Sequence, residues 1–210
     1  GSDRNAPLAR GFALLGAIAG LVVTLPLYTG FDVTTPAMQF VEMAPWIPRF
    51  NINYHLGVDG ISVLFVILNS FITLIVVLAG WEVIKQKIAQ YNAAFLIMSG
   101  LLNGIFASLD GLLFYVFFEA SLIPLYLIIG VWGGPRRVYA AFKFFLFTLL
   151  GSLLFLVSLI YLFVNSGGSF SILDWHQLPI PMPHQSWIFL AFLVAFAVKV
   201  PMWRVHTLLP

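Results

Sequence analysis

Two charged side chains stand in sequence that otherwise reads as hydrocarbon. Glu119 lies in Phe117-Phe118-Glu119-Ala120, and Lys199 lies in Ala197-Val198-Lys199-Val200-Pro201. Burying either charge at membrane depth costs at least ~3 kcal/mol on an insertion scale. A carboxyl and an amine kept at that cost can each hold and release a proton, so the pattern points to a buried proton relay facing a bundle interior. The structural alternative is an ion pair that braces two helices, or a lysine whose stem snorkels to the headgroups. Each charge also has a proline close by. Pro124 cannot donate to the carbonyl of Ala120, and Pro201 leaves that of Ala197 free. Broken helices at membrane depth are tolerated where they line a cavity. His206 follows Lys199 by seven residues, so an unbroken helix puts both on one face and could extend a proton path. Its alternative is an interfacial histidine. Tyr115 and Tyr126 share the Glu119 face, where they could hydrogen-bond it or simply pack.

The rest of the chain must position these groups in lipid. Of 210 residues, 61% are hydrophobic and 9% charged, against roughly a quarter charged in soluble domains. That balance excludes a soluble enzyme, a disordered segment and a coiled coil. A net charge of +2, thinly scattered, gives no sign of nucleic-acid binding. The absence of cysteine removes disulfides and thiolate-held metals or clusters. No Walker loop or dinucleotide fingerprint occurs, and no Ser–His–Asp arrangement can be argued. His55, His176 and His184 fall in loops, which argues against haem held across two helices. Gly16 and Gly20 have a helix-contact spacing of low specificity.

Six stretches are long and apolar enough to span, at about 20 residues each: residues 8–27, 61–81, 93–109, 112–131, 140–164 and 187–203. The predicted fold is all-α, a single polytopic transmembrane bundle with long loops at 28–60 and 166–186. The third and fourth spans are divided only by Ser108-Leu109-Asp110-Gly111. With six spans, Arg4, Arg10, Lys85, Lys87, Arg136, Arg137, Lys143 and Arg204 share one side and Arg49 alone has the other. The positive-inside rule makes the first side, and the N-terminus of the chain, cytoplasmic.

Five segments carry a family resemblance. Leu56-Gly57-Val58-Asp59-Gly60-Ile61-Ser62, Phe118-Glu119-Ala120-Ser121-Leu122-Ile123-Pro124, Trp132-Gly133-Gly134, Lys143-Phe144-Phe145 and Ala197-Val198-Lys199-Val200-Pro201 occur in that order. Together they resemble the antiporter-like, proton-pumping membrane subunits of chain M type in bacterial NADH:quinone oxidoreductase, respiratory complex I. The resemblance implies a bundle built on inverted five-helix repeats, of which this chain would hold a fragment lacking the first helix and the second half. It implies that Glu119 and Lys199 match the family's relay glutamate and lysine, and His206 its histidine. It implies proton translocation coupled to quinone reduction elsewhere, with NADH, flavin, iron–sulfur clusters and quinone on other subunits and no metal or cofactor here. Its partners would be other membrane-arm subunits, including sister antiporter-like chains, and lipid, in the bacterial inner membrane. Two rivals remain: a subunit of a multi-subunit cation/proton antiporter, and a scaffold whose charges only brace helices.

Overall fold

A computed structural model describes residues 5–200. It is mostly helical. Its elements are α1 (Ala6–Thr29), β1 (Gln39–Ile47), β2 (Ile52–Val58), α2 (Ser62–Val83), α3 (Ile88–Ala107), α4 (Gly111–Ala120), α5 (Leu122–Trp132), α6 (Arg137–Asn165), α7 (Ile172–Trp175) and α8 (Met182–Lys199). Six helical stretches are long and apolar enough to cross a membrane, with α4 and α5 together making one of them. The chain is therefore a multi-pass membrane protein of the class expected. Arg4, Pro201, Arg204 and His206 lie outside the described residues.

The residues fall into two compact units, divided within the β1–β2 hairpin and again between Ser108 and Leu109. The first contains α1, α2 and α3. Ala13, Ala17 and Val77 form its buried centre, with Leu14, Leu74 and Leu96 packed around them. Lipid supplies no hydrophobic force between helices, so small residues and polar contacts hold them. The Asn69 amide of α2 donates to the Ser99 carbonyl at 2.9 Å and to Asn103 Oδ1 at 2.8 Å, both on α3. Near the end of α2, a methyl on Gly80 would stand 2.9 Å from the Tyr91 ring of α3. Arg10 donates to the Ile84 carbonyl at 3.1 Å and lies 5.9 Å from the Trp81 ring centroid.

The second unit holds α4 to α8. Phe155, Leu159 and Ala195 form its buried centre, and Phe114, Tyr115, Trp175 and Phe192 pack against them. Gly151 of α6 lets the backbone of α8 approach: a Cβ there would stand 3.3 Å from Ala195 Cα.

Loops at one end of this unit are knotted together by Asp110. Its carboxylate accepts from the backbone N–H groups of Leu112 and Leu113 at 3.0 Å each, an N-cap of α4. The other oxygen accepts from Asn53 N–H at 3.0 Å, which ties β2 to the same point. Leu109 N–H donates to His55 O, Gly111 N–H to Phe170 O and Ile172 N–H to Leu109 O. Burial pushes the Asp110 carboxyl up, against the three N–H groups that favour its ionised form.

Several boundaries differ from the sequence reading. The loop at 28–60 contains a hairpin, and that at 166–186 contains α7 and the start of α8. Helix α3 begins five residues earlier than expected, at Ile88, and α8 begins at Met182. The polar first turns of both helices obscure their starts, since an apolar window excludes them. The span predicted at 112–131 is two helices jointed at Ser121.

Candidate functional site: an acid and an ammonium at a broken helix

The joint at Ser121 follows from Pro124, which sits in the first turn of α5 and cannot donate to the Ala120 carbonyl. Ser121 keeps right-handed helical angles, φ −64° and ψ −19°, and its N–H donates to Phe117 O. Its hydroxyl donates to Phe118 O at 2.7 Å. The last turn of α4 therefore ends on a carbonyl approached by a side chain, where an unbroken helix would use backbone alone.

Lys199, the last residue of α8, reaches this joint. It lies about 26 Å along the helix from Met182 at 1.5 Å per residue. Its Nζ donates to Phe118 O at 3.2 Å and to Ser121 Oγ at 3.1 Å. It also stands 3.7 Å from the Phe118 ring centroid, within cation–π range. Phe118 and Ser121 are 4% and 3% exposed, so the ammonium is walled in on that side.

Glu119 follows Phe118 on α4. Its carboxyl interacts electrostatically with Lys199 and Tyr115 and lies within hydrogen-bonding reach of the Ser152 hydroxyl on α6. Its Oε1 is buried without a hydrogen-bond partner. Ser152 is fully buried and donates its one hydroxyl proton to Leu149 O at 2.8 Å. That hydroxyl also lies within hydrogen-bonding reach of the Glu119 carboxyl and the Tyr115 hydroxyl, and it can turn its proton to the carboxylate instead.

The structure places Glu119 and Lys199 at one site, with the ammonium hydrogen-bonded to Phe118 O and Ser121 Oγ. The ammonium is seated on a carbonyl, a hydroxyl and a ring; it does not grip the carboxylate. A backbone carbonyl and a hydroxyl accept from an ammonium without carrying a charge of their own. Tyr115 joins the site, whereas Tyr126 packs edge-on against Phe142 and Phe145. His184 lies in the first turn of α8, where its Nδ1 pairs with the Tyr161 hydroxyl at 2.5 Å. Among the described residues no cluster of three metal-ligating side chains occurs.

Sequence reasoning missed Ser121, Ser152 and Asp110. Asp110 carried a legible signal, an Asp immediately before an apolar helical run. Ser121 lies in the Phe118–Pro124 segment, next to the carbonyl of Ala120 that Pro124 leaves free. Ser152 carried only a small-residue signal, Gly151-Ser152, of low specificity.

Comparison with known proteins agrees with this architecture. Residues 108–210 match the family model described as NADH:quinone oxidoreductase/Mrp antiporter, transmembrane. Residues 20–107 match that of NADH-ubiquinone oxidoreductase chain 4, amino terminus. The chain belongs to this family of antiporter-like membrane subunits. It is 44% identical over 222 residues to NADH-quinone oxidoreductase subunit M of Rhodobacter capsulatus, covering 100% of this chain and 42% of that relative. It is also 44% identical over 204 residues to NADH-ubiquinone oxidoreductase chain 4 of Arabidopsis thaliana, covering 94% of this chain and 40% of that relative. The chain thus spans about two fifths of the length of these family members. Among solved structures, a chain of respiratory complex I from Thermus thermophilus superposes with a TM-score of 0.83 at 35% identity, covering 96% of this chain and 42% of that one. A chain of the Mrp complex from Dietzia superposes with a TM-score of 0.81 at 16% identity, over 93% of this chain and 21% of that one, a likeness of fold.

Proposed function

We propose that this chain is the proton-handling part of a membrane-arm subunit of a proton-translocating NADH:quinone oxidoreductase. It contributes no redox chemistry. It moves protons through Glu119 and Lys199 while quinone is reduced elsewhere in the complex. One observation carries the reading: an acid and an ammonium meet at a helix break inside an otherwise apolar unit, with Glu119 Oε1 left short of a donor. Such an oxygen lowers its free energy by taking a proton or by receiving the ammonium. Either event changes the charge that the other group feels, so the two titrate as a unit.

NADH, flavin, iron–sulfur clusters and quinone belong to other subunits in this reading. Partners are other membrane-arm chains, including sister antiporter-like ones, and lipid. The membrane is the bacterial inner membrane, with the N-terminus of the chain cytoplasmic. His206 extends the relay beyond Lys199.

The test uses the full-length protein in its assembled complex. Glu119→Gln and Lys199→Ala are each expected to cut quinone-linked proton pumping by at least tenfold. Wild-type pumping in both variants eliminates the relay. The fold likeness to the Mrp complex supports a second reading, a subunit of a multi-subunit cation/proton antiporter. Co-purification with flavin and iron–sulfur subunits favours the first reading. Sodium–proton exchange without them favours the second.

A further inference from the structure

We propose that Ser121 is a positioning residue: with the Phe118 carbonyl it gives the Lys199 ammonium a second, uncharged seat, and the relay works by passing Lys199 between this seat and Glu119. The proposal rests on the reading of Glu119 and Lys199 as a relay and adds a named alternative position for the moving charge.

The geometry argues for a seat and against an accidental contact. Lys199 Nζ makes two hydrogen bonds there, to Phe118 O at 3.2 Å and Ser121 Oγ at 3.1 Å, and covers the Phe118 ring at 3.7 Å. The Ser121 hydroxyl donates to that same carbonyl at 2.7 Å, which commits its proton and turns its lone pairs outward. A hydroxyl so fixed can only accept, and an ammonium can only donate. The two groups are therefore complementary without rearrangement. The seat exists because the helix is broken there.

The second seat is adjacent. Phe118 supplies the carbonyl and Glu119, the next residue, supplies the carboxylate. A lysine stem has four rotatable bonds, so transfer between the two needs rotation of the side chain and no movement of α8. Glu119 Oε1 is buried without a hydrogen-bond partner, so the carboxyl keeps an open acceptor for the ammonium. Ser152, the hydroxyl within reach of this carboxyl, is also placed to donate to Leu149 O at 2.8 Å, and one proton cannot serve both acceptors. When the ammonium leaves, the Phe118 carbonyl still accepts from the Ser121 hydroxyl, so the seat can empty without stranding a carbonyl.

A purely structural role is the competing account, because the Ser121 hydroxyl also caps the end of α4. The experiment separates the two in the full-length protein within its assembled complex. Ser121→Ala and Ser121→Gly both remove the acceptor, and Gly leaves the joint unstrained. Both are expected to lower quinone-linked proton pumping about three- to tenfold, the loss typical of one hydrogen bond, with the amount of assembled complex and the KM for quinone unchanged. Ser121→Thr, which restores the hydroxyl, is expected to pump at the wild-type rate. Wild-type pumping in both Ser121→Ala and Ser121→Gly overturns the proposal. So does a loss of pumping that only tracks loss of assembled complex, and so does failure of Ser121→Thr to rescue. Glu119→Gln and Lys199→Ala, measured alongside, keep the failures apart: if they pump normally the relay itself is wrong, whereas if they are defective and Ser121→Ala is not, only the second seat is wrong.

Discussion

Lys199 and Phe118 meet twice, once through the ring at 3.7 Å and once through the backbone carbonyl at 3.2 Å. Substitution can remove the first contact and leave the second. Phe118→Leu keeps the carbonyl and most of the packing volume but removes the π face, a contribution of about 1–2 kcal/mol for a desolvated cation. We expect full assembly and proton pumping reduced several-fold, measured as the rate per assembled complex. Pumping at the wild-type rate would mean that the ring only fills space.

Asp110 holds both the start of α4 and the β2 strand. Asp110→Ala leaves three backbone N–H groups without their acceptor, and loss of the cap alone costs about 1–2 kcal/mol. Asp110→Asn keeps the oxygen that caps α4 and loses the Asn53 contact, so its cost is smaller. Thermal unfolding in detergent is expected to rank wild type above Asn and Asn above Ala. An Asn variant less stable than Ala would contradict this assignment.

Acid stability depends on two carboxylates with opposite signs. The Ser62 N–H, helped by the Ser62 hydroxyl and the Ile61 N–H, holds the Asp59 carboxyl below its usual value. Its contribution is present above that usual value, near pH 4, and is lost as pH falls below it. Burial raises Asp110, so the folded form holds its proton more tightly than the unfolded chain. Its contribution is fully present below the unfolded value and fades as pH rises through the folded one. Unfolding midpoints measured across this range should therefore show Asp59→Asn reducing the acid loss and Asp110→Asn reducing the loss on the way up. The same slope change in both variants would refute the assignment.

Gly111 lies against the Trp175 indole, and a methyl there would overlap the ring. Gly100, in the middle of α3, has nothing within 4 Å of the same position. Gly111→Ala should cost about 1–3 kcal/mol through displacement of the ring. Gly100→Ala should be neutral or slightly stabilising, because alanine is the better helix former. Equal effects in the two variants would show that the indole yields freely.

The spans were legible because a run of about 20 apolar residues has few other uses. The acid and the base were legible because a charge inside such a run stands out by cost alone. The hairpin was not. Residues 39–47 are exposed along almost the whole strand, so no alternation of apolar and polar residues marks them, and Pro45 and Pro48 read as loop. The actual partner of Lys199 was hidden for a different reason. The two charges could be read off as an acid and a base inside apolar spans. A backbone carbonyl has no letter in the sequence, so its competition for the ammonium could be found only from coordinates. Ser121 was hidden with it, since its importance depends on that carbonyl.

Helix α4 has ten residues and so is about 15 Å long. One end is pinned by the Asp110 carboxylate to β2, and the other is the hinge that presents Phe118 and Glu119. A short rod held this way carries any tug on its pinned end straight to its free end. The turn that carries Phe118 and Glu119 is therefore anchored, one short helix away, to the β2 strand.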